Sequence, residues 1–166
     1  MIQAVPAQET DVRSAVYYLA HAVVRCGRCL EATSVFALAL PPNHEKRIGD
    51  ANCAADTWEC AGYGAFLSYV EYLPPDVRRL LGQLAPTYRP SGSHTGDNAY
   101  WLNHCAHCRA PQDDYFLHCE PDAAFLPTTA SGAAQIQLLE VRESFAACAV
   151  GYSHELPYFD FMRMIG

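Results

Sequence analysis

Two short cysteine pairs, Cys26-Gly27-Arg28-Cys29 and Cys105-Ala106-His107-Cys108, stand far apart in one chain of 166 residues. A two-residue spacer lets both sulfurs of a pair turn toward a common point, and a tetrahedral metal with metal–sulfur bonds of about 2.3 Å takes two such pairs. Cys26, Cys29, Cys105 and Cys108 are therefore read as the ligands of one Zn2+. Four sulfurs leave no open coordination position, so the ion is expected to be structural rather than to activate water or polarise a substrate. Such a site outranks local propensity, because its apparent binding energy of about 10–16 kcal/mol rivals the ~5–15 kcal/mol stability of a whole domain.

The flanks of the two pairs repeat one plan. Residues 16–24 are apolar and partly β-branched and run into the first pair, and residues 34–40 lead out of it to Pro41-Pro42. That pattern predicts strand, turn, strand. Residues 98–104 lead into the second pair, the turn carries Pro111, and Tyr115-Phe116-Leu117-His118 leads out as a second strand. Two hairpins clamping one ion describe a zinc ribbon split by a long insertion. The fold class expected is α+β, with ribbon halves at about 16–40 and 98–119, a mainly helical insertion at about 41–97, and a C-terminal segment at 120–166. A chain of this length is expected to form a single domain, 1–166, burying roughly 70% of its unfolded surface.

Within the insertion, Pro74-Pro75-Asp76 is a helix start, Val77, Leu80, Leu81 and Leu84 form one apolar face, and Pro86 ends it. A second helix is expected over residues 65–73, with Phe66, Leu67, Val70 and Leu73 on one side. Residues 88–97 are rich in Pro, Ser and Gly and read as a loop, as do residues 120–132. Residues 135–150 fit a strand through Ile136, Leu138 and Val141, and equally a helix through Leu138, Leu139, Arg142 and Phe145. The C-terminal Tyr158, Phe159, Phe161, Met162, Met164 and Ile165 are too apolar for a free tail and are expected to dock.

Charge narrows the function. The chain holds 11 Lys and Arg against 18 Asp and Glu, a formal charge of −7. Nucleic-acid binding rests on Lys and Arg neutralising phosphates, so this balance argues against a nucleic-acid partner. Arg78, Arg79 and Arg89 make the densest basic stretch, which reads as a solvated helix face. Residues 1–10 lack a basic start, and the apolar stretch 15–24 is broken by His21 and ends at Arg25, so neither a signal peptide nor a membrane span is expected. Eight cysteines without an export signal favour metal over disulfides and a cytoplasmic location.

Other chemistry stands beside the zinc site. Cys26 and Cys29 also have the spacing of a thiol-disulfide oxidoreductase, where a strand would open into a helix that stabilises a thiolate. An enzyme site near His118 and the Asp113/Asp114 turn is a further alternative. His118-Cys119-Glu120 has the His-x-Glu of zinc deaminases but follows its cysteine pair instead of preceding it. Turn chemistry accounts for Asp113 and Asp114. Cys53, Cys60, Cys119 and Cys148 match no ligand spacing and are expected to be buried small hydrophobes. His104 and His107 flank the second pair and are expected on the knuckle surface or in hydrogen bonds around it. The sequence thus favours a non-catalytic structural-zinc protein, an interaction or adaptor module with a protein partner, and leaves its oligomeric state open.

Residues 100–118, from Tyr100-Trp101-Leu102-Asn103-His104 through the second pair to Gln112-Asp113-Asp114-Tyr115-Phe116-Leu117-His118, resemble a segment of uncharacterised bacterial zinc-ribbon proteins. Those proteins carry an early Cys-x-x-Cys and, later, Asn-x-Cys-x-x-Cys-Gly-Ala-x-Gln-Gly-Asp-Phe-Phe-Leu. The resemblance implies zinc but no activity. Two glycines of the pattern are replaced here, by Arg109 and Asp113. Wherever a left-handed backbone is required, a non-glycine residue costs roughly 1–2 kcal/mol, which the metal can absorb.

Overall fold

A computed structural model of the chain describes residues 10–48, 57–91, 99–153 and 158–166. Strands make up 48% of it and helix 16%, and the strands join into one 12-stranded sheet. This overturns the expected small ribbon with a mainly helical insertion. The elements are β1 (Val12–Ser14), β2 (Tyr17–Arg25), β3 (Ala32–Leu40), β4 (Glu45–Ile48), β5 (Thr57–Cys60), β6 (Ala65–Tyr72), α1 (Pro75–Leu84), β7 (Tyr88–Ser91) and β8 (Tyr100–His104). They continue with β9 (Pro111–Gln112), α2 (Asp114–His118), α3 (Ala130–Ala133), β10 (Gln137–Val141), β11 (Phe145–Tyr152), a 3-10 turn (Phe159–Phe161) and β12 (Arg163–Ile165).

The sheet runs β12-β10-β2-β3-β6-β11-β1-β4-β5, with β7, β8 and β9 branching from β6. All pairings are antiparallel except β10 with β12. Side chains alternate between two faces along a strand, and here both faces are covered. Tyr17 and Leu19 of β2 and Leu38 and Leu40 of β3 pack with Val77 and Leu81 of α1. Ala20 and Ala22, with Val35, Ala37 and Ala39, face Leu117, Phe125, Ala133 and Met162 on the other side. Burial on both faces replaces the apolar–polar alternation of a half-exposed strand with the continuous apolar runs seen around the first cysteine pair.

The same two-sided burial accounts for a strand where a helix is expected over residues 65–73. Ala65, Phe66, Leu67 and Ser68 are consecutive and all buried, because β6 lies between β3 and β11 in the middle of the sheet. Its apolar run carries no period of two, and a helical spacing fits it by accident. The α1 helix matches its sequence signals, with Pro75 at its start, Asp76 in the first turn, and Val77 and Leu81 buried. It is the only helix of the insertion among the described residues. Tyr88–Ser91 is a strand rather than the start of a loop; residues 92–97 lie outside the described residues.

Residues 115–118 form α2 instead of a lead-out strand, because Asp113 caps the turn: its side chain accepts the Tyr115 N–H at 2.8 Å. The open choice at 135–150 resolves into two strands, β10 and β11. The end of the expected 120–132 loop enters α3 (Ala130–Ala133), capped by Thr129. The C-terminal segment docks through buried Met162 and through β12, while Phe161, Met164 and Ile165 stay exposed. No helix among the described residues is long and apolar enough to cross a membrane.

Candidate metal centre

The four cysteines named from spacing come together at one end of the sheet. Cys26, Cys29, Cys105 and Cys108 have sulfurs within 4.8 Å of one another, and among the described residues no other group of potential metal ligands clusters this way. Close contacts run between the pairs: Cys26 Sγ lies 3.7 Å from Cys108 Sγ, and Cys29 Sγ lies 3.7 Å from Cys105 Sγ. A tetrahedron with bonds of about 2.3 Å has edges of about 3.8 Å. A disulfide would need about 2.05 Å. The spacing fits four soft donors around one ion such as Zn2+, and not oxidised pairs.

Each pair occupies a turn of the same design. The Cys26 N–H donates to Glu31 O at 2.9 Å and the Leu30 N–H to Cys26 O at 3.0 Å. At the second pair, the Cys105 N–H donates to Ala110 O at 2.8 Å and the Arg109 N–H to Cys105 O at 3.0 Å. In both turns the residue after the second cysteine is left-handed, Leu30 at φ 65° and Arg109 at φ 64°. The missing glycine at 109 is therefore a strained position, and the first turn accepts the same strain. Asp113 is different: its φ of −64° suits any residue.

Backbone N–H groups turn inward onto the sulfurs. The Arg28 N–H donates to Cys26 Sγ and the His107 N–H to Cys105 Sγ, each at 3.4 Å. N–H groups of Cys29 and Arg28 hold the Cys26 thiol below its usual value, while against the Glu31 N–H, burial and the adjacent sulfurs push Cys29 up, so the cluster shares its negative charge unevenly. N–H groups of Cys108 and His107 also lower Cys105. Such donors stabilise the thiolate that a metal requires. Gln112 Nε2 adds another donor to Cys26 Sγ at 3.4 Å.

Three contacts lock the two turns together besides the sulfurs. The Ala106 N–H donates to Thr33 Oγ1 at 3.0 Å, and His107 Nε2 donates to Ala32 O at 3.1 Å. Asn103 joins β8 to β3, accepting the Phe36 N–H at 2.7 Å and donating to Phe36 O at 2.8 Å. His104 is buried and bonds Thr87 O through Nδ1. Both histidines thus serve the frame around the cluster. Thr33, Asn103 and Gln112 carried no separate signal in the sequence, although Asn103 and Gln112 lie inside the segment with the zinc-ribbon resemblance.

The other candidates do not converge. Asp114 is buried, and its Oδ2 accepts the Tyr69 N–H at 2.7 Å where β6 turns through a positive φ. His118 sits between Phe66 and Phe125, and burial there pushes its imidazole down to about 3. Glu120 is exposed. The first pair lies in a β-hairpin turn, without the strand-to-helix junction an activated thiolate would use. Cys60 and Cys119 are exposed and Cys148 is half-buried beside Asp11 and Glu71, so these three are not the buried hydrophobes expected. Cys53 lies outside the described residues. Arg79 pairs with Asp76 on the exposed face of α1, as a solvated helix surface does.

No protein-family model, no curated protein and no solved structure matches this chain. The resemblance to bacterial zinc ribbons thus has no family match behind it, and the metal assignment rests on the four-cysteine cluster itself.

Proposed function

We propose that the chain is a structural-zinc protein acting as a protein-interaction or adaptor module of a bacterial cytoplasm. One observation carries this reading: four sulfurs at tetrahedral spacing close a site that ties the β2–β3 hairpin to the β8–β9 turn. A site filled by four protein ligands holds structure and has no position for a substrate. The acidic balance of the chain disfavours nucleic acid as partner. Exposed apolar side chains close to the cluster, Val23, Leu30, Tyr115 and Phe116, supply contact surface for a protein.

Native mass spectrometry with elemental analysis tests the reading. One zinc per chain, and loss of folded structure on chelation, are the expected results. A zinc-free protein that reduces insulin disulfides would instead establish the oxidoreductase reading, and salt-resistant DNA binding would remove the adaptor role.

A further inference from the structure

We infer that an open strand edge beside the metal centre is a docking groove for an extended acidic peptide. The inference rests on the interaction-module reading and names its partner class. β2 is paired along its whole length with β3, from Tyr18↔Ala39 to Arg25↔Ala32. On its other edge β10 accompanies it only as far as His21↔Gln137. Beyond that rung the two strands part, leaving residues 22–25 with one neighbour. Antiparallel pairs alternate in the direction of their hydrogen bonds. The Cys26 N–H bonds Glu31 O toward β3, so the N–H and C=O of Val24 and Ala22 also face β3, and those of Val23 and Arg25 face outward. No described residue accepts or donates to these outward groups.

The gap opens into two adjoining cavities of about 550 and 510 Å³, which share Val24, Asp122, Ala123 and Ala124. The open edge is roughly 13 Å long at the ~3.3 Å rise of a strand, enough for a short added strand. Such a strand would bond Val23 and Arg25 through its backbone and send alternate side chains against Ala123, Ala124 and Phe116. Proteins usually cover or shorten an edge of this kind. Here it is flanked by a turn that the metal holds rigid.

Charge selects the occupant. Arg25 and Arg28 border the cavity at the cluster and Arg163 borders the other, and none forms an ion pair among the described residues. The two carboxylates that line the groove are engaged within the fold. Asp113 caps α2, and Asp122 accepts the N–H and hydroxyl of Thr128. Three arginines against these two carboxylates leave the groove net positive around an apolar floor, in a chain whose formal charge is −7, and this complements a β-forming segment rich in Asp and Glu.

Selection of phage-displayed random decapeptides on the immobilised, zinc-loaded full chain tests this. Enriched sequences are expected to carry an excess of Asp and Glu among β-forming residues. They should protect the Val23 and Arg25 amides from hydrogen exchange, while Ala22 and Val24 are protected with or without peptide. Val23→Pro removes an outward N–H together with an exposed valine side chain, a change an edge strand tolerates, and should weaken binding about tenfold or more. Arg28→Glu, at an exposed turn position, should do the same if Val23→Pro proves unstable. Enriched peptides without acidic excess, protection of other amides, or variants that bind as well as the parent would overturn the proposal. So would concentration-dependent protection of Val23 in the free protein, which would mark the edge as a self-association surface. Failure to enrich any peptide also overturns it. If one zinc per chain is still bound, that failure leaves the structural-zinc reading intact.

Discussion

The side-chain amide of Asn103 pairs with both backbone groups of Phe36, accepting its N–H at 2.7 Å and donating to its C=O at 2.8 Å. One fully buried side chain thus acts as a rung of sheet between β3 and β8, at a position where no strand of the described residues supplies one. The two cysteine turns are held in register by this link as well as by their sulfurs.

Removing it should be costly. Asn103→Ala leaves the N–H and C=O of half-buried Phe36 without their side-chain partners, at up to about 1–3 kcal/mol for each unsatisfied group. We expect a loss of about 2–4 kcal/mol in urea unfolding at saturating zinc, with zinc stoichiometry retained.

The cysteine ligands should separate sharply from the remaining cysteines. Cys108→Ser is expected to abolish stoichiometric zinc binding and to unfold the chain around β8 and the first turn, since such sites contribute energies comparable to the ~5–15 kcal/mol of a whole domain. Cys119→Ser, at an exposed position, should shift stability by no more than about 0.5 kcal/mol. Elemental analysis and thermal melts of the two variants check both outcomes.

Arg109 occupies a left-handed position at φ 64°. Arg109→Gly relieves roughly 1–2 kcal/mol of strain and gives back about 0.5–1 kcal/mol in chain entropy, for an expected net gain of about 0.5–1 kcal/mol. Asp113→Gly should bring no gain, because φ there is −64° and the helix cap is lost. Paired denaturation curves at fixed zinc distinguish the two substitutions.

Asp114 should impose a pH dependence of its own. Burial, with Asp113 nearby and against the Tyr69 N–H, pushes its carboxyl up to about 6. The unfolded value is about 3.9, so the folded state binds the proton more tightly between these limits. Its contribution to stability is greatest below pH about 4 and falls as pH rises through about 6, by on the order of 3 kcal/mol. Asp114→Asn keeps an acceptor for the Tyr69 N–H and removes this slope. The expected result is a flatter difference profile between pH about 4 and 6, and a variant at least as stable as the parent at pH 7. Acid-driven metal loss acts on both proteins and cancels in that difference.

The elements legible in the sequence are those whose signal is local. The α1 helix has its prolines, its acidic first turn and an apolar face within one short stretch, so neighbours along the chain suffice to specify it. The β2–β3 hairpin was legible for the same reason, from β-branched runs on either side of a tight turn. Elements whose burial comes from distant chain carry no such signal. Residues 65–72 look helical because β6 is enclosed by β3, β11 and both core layers, which removes the alternation that marks a strand. Residues 115–118 look like a strand until Asp113 is seen to cap a helix. Cys60 and Cys119 carry the composition of a core and lie on its outside.

By itself the sequence determined which four cysteines cluster and the two turns that present them, because a Cys-x-x-Cys turn needs only its own backbone N–H groups to aim its sulfurs. Tertiary structure alone decided that these turns crown a 12-stranded sheet, that Asn103, Thr33 and His107 brace them, and that β2 keeps an open edge beside them. Strand pairing and the parting of β2 from β10 depend on contacts between residues far apart in the chain, and no short window of sequence contains both partners.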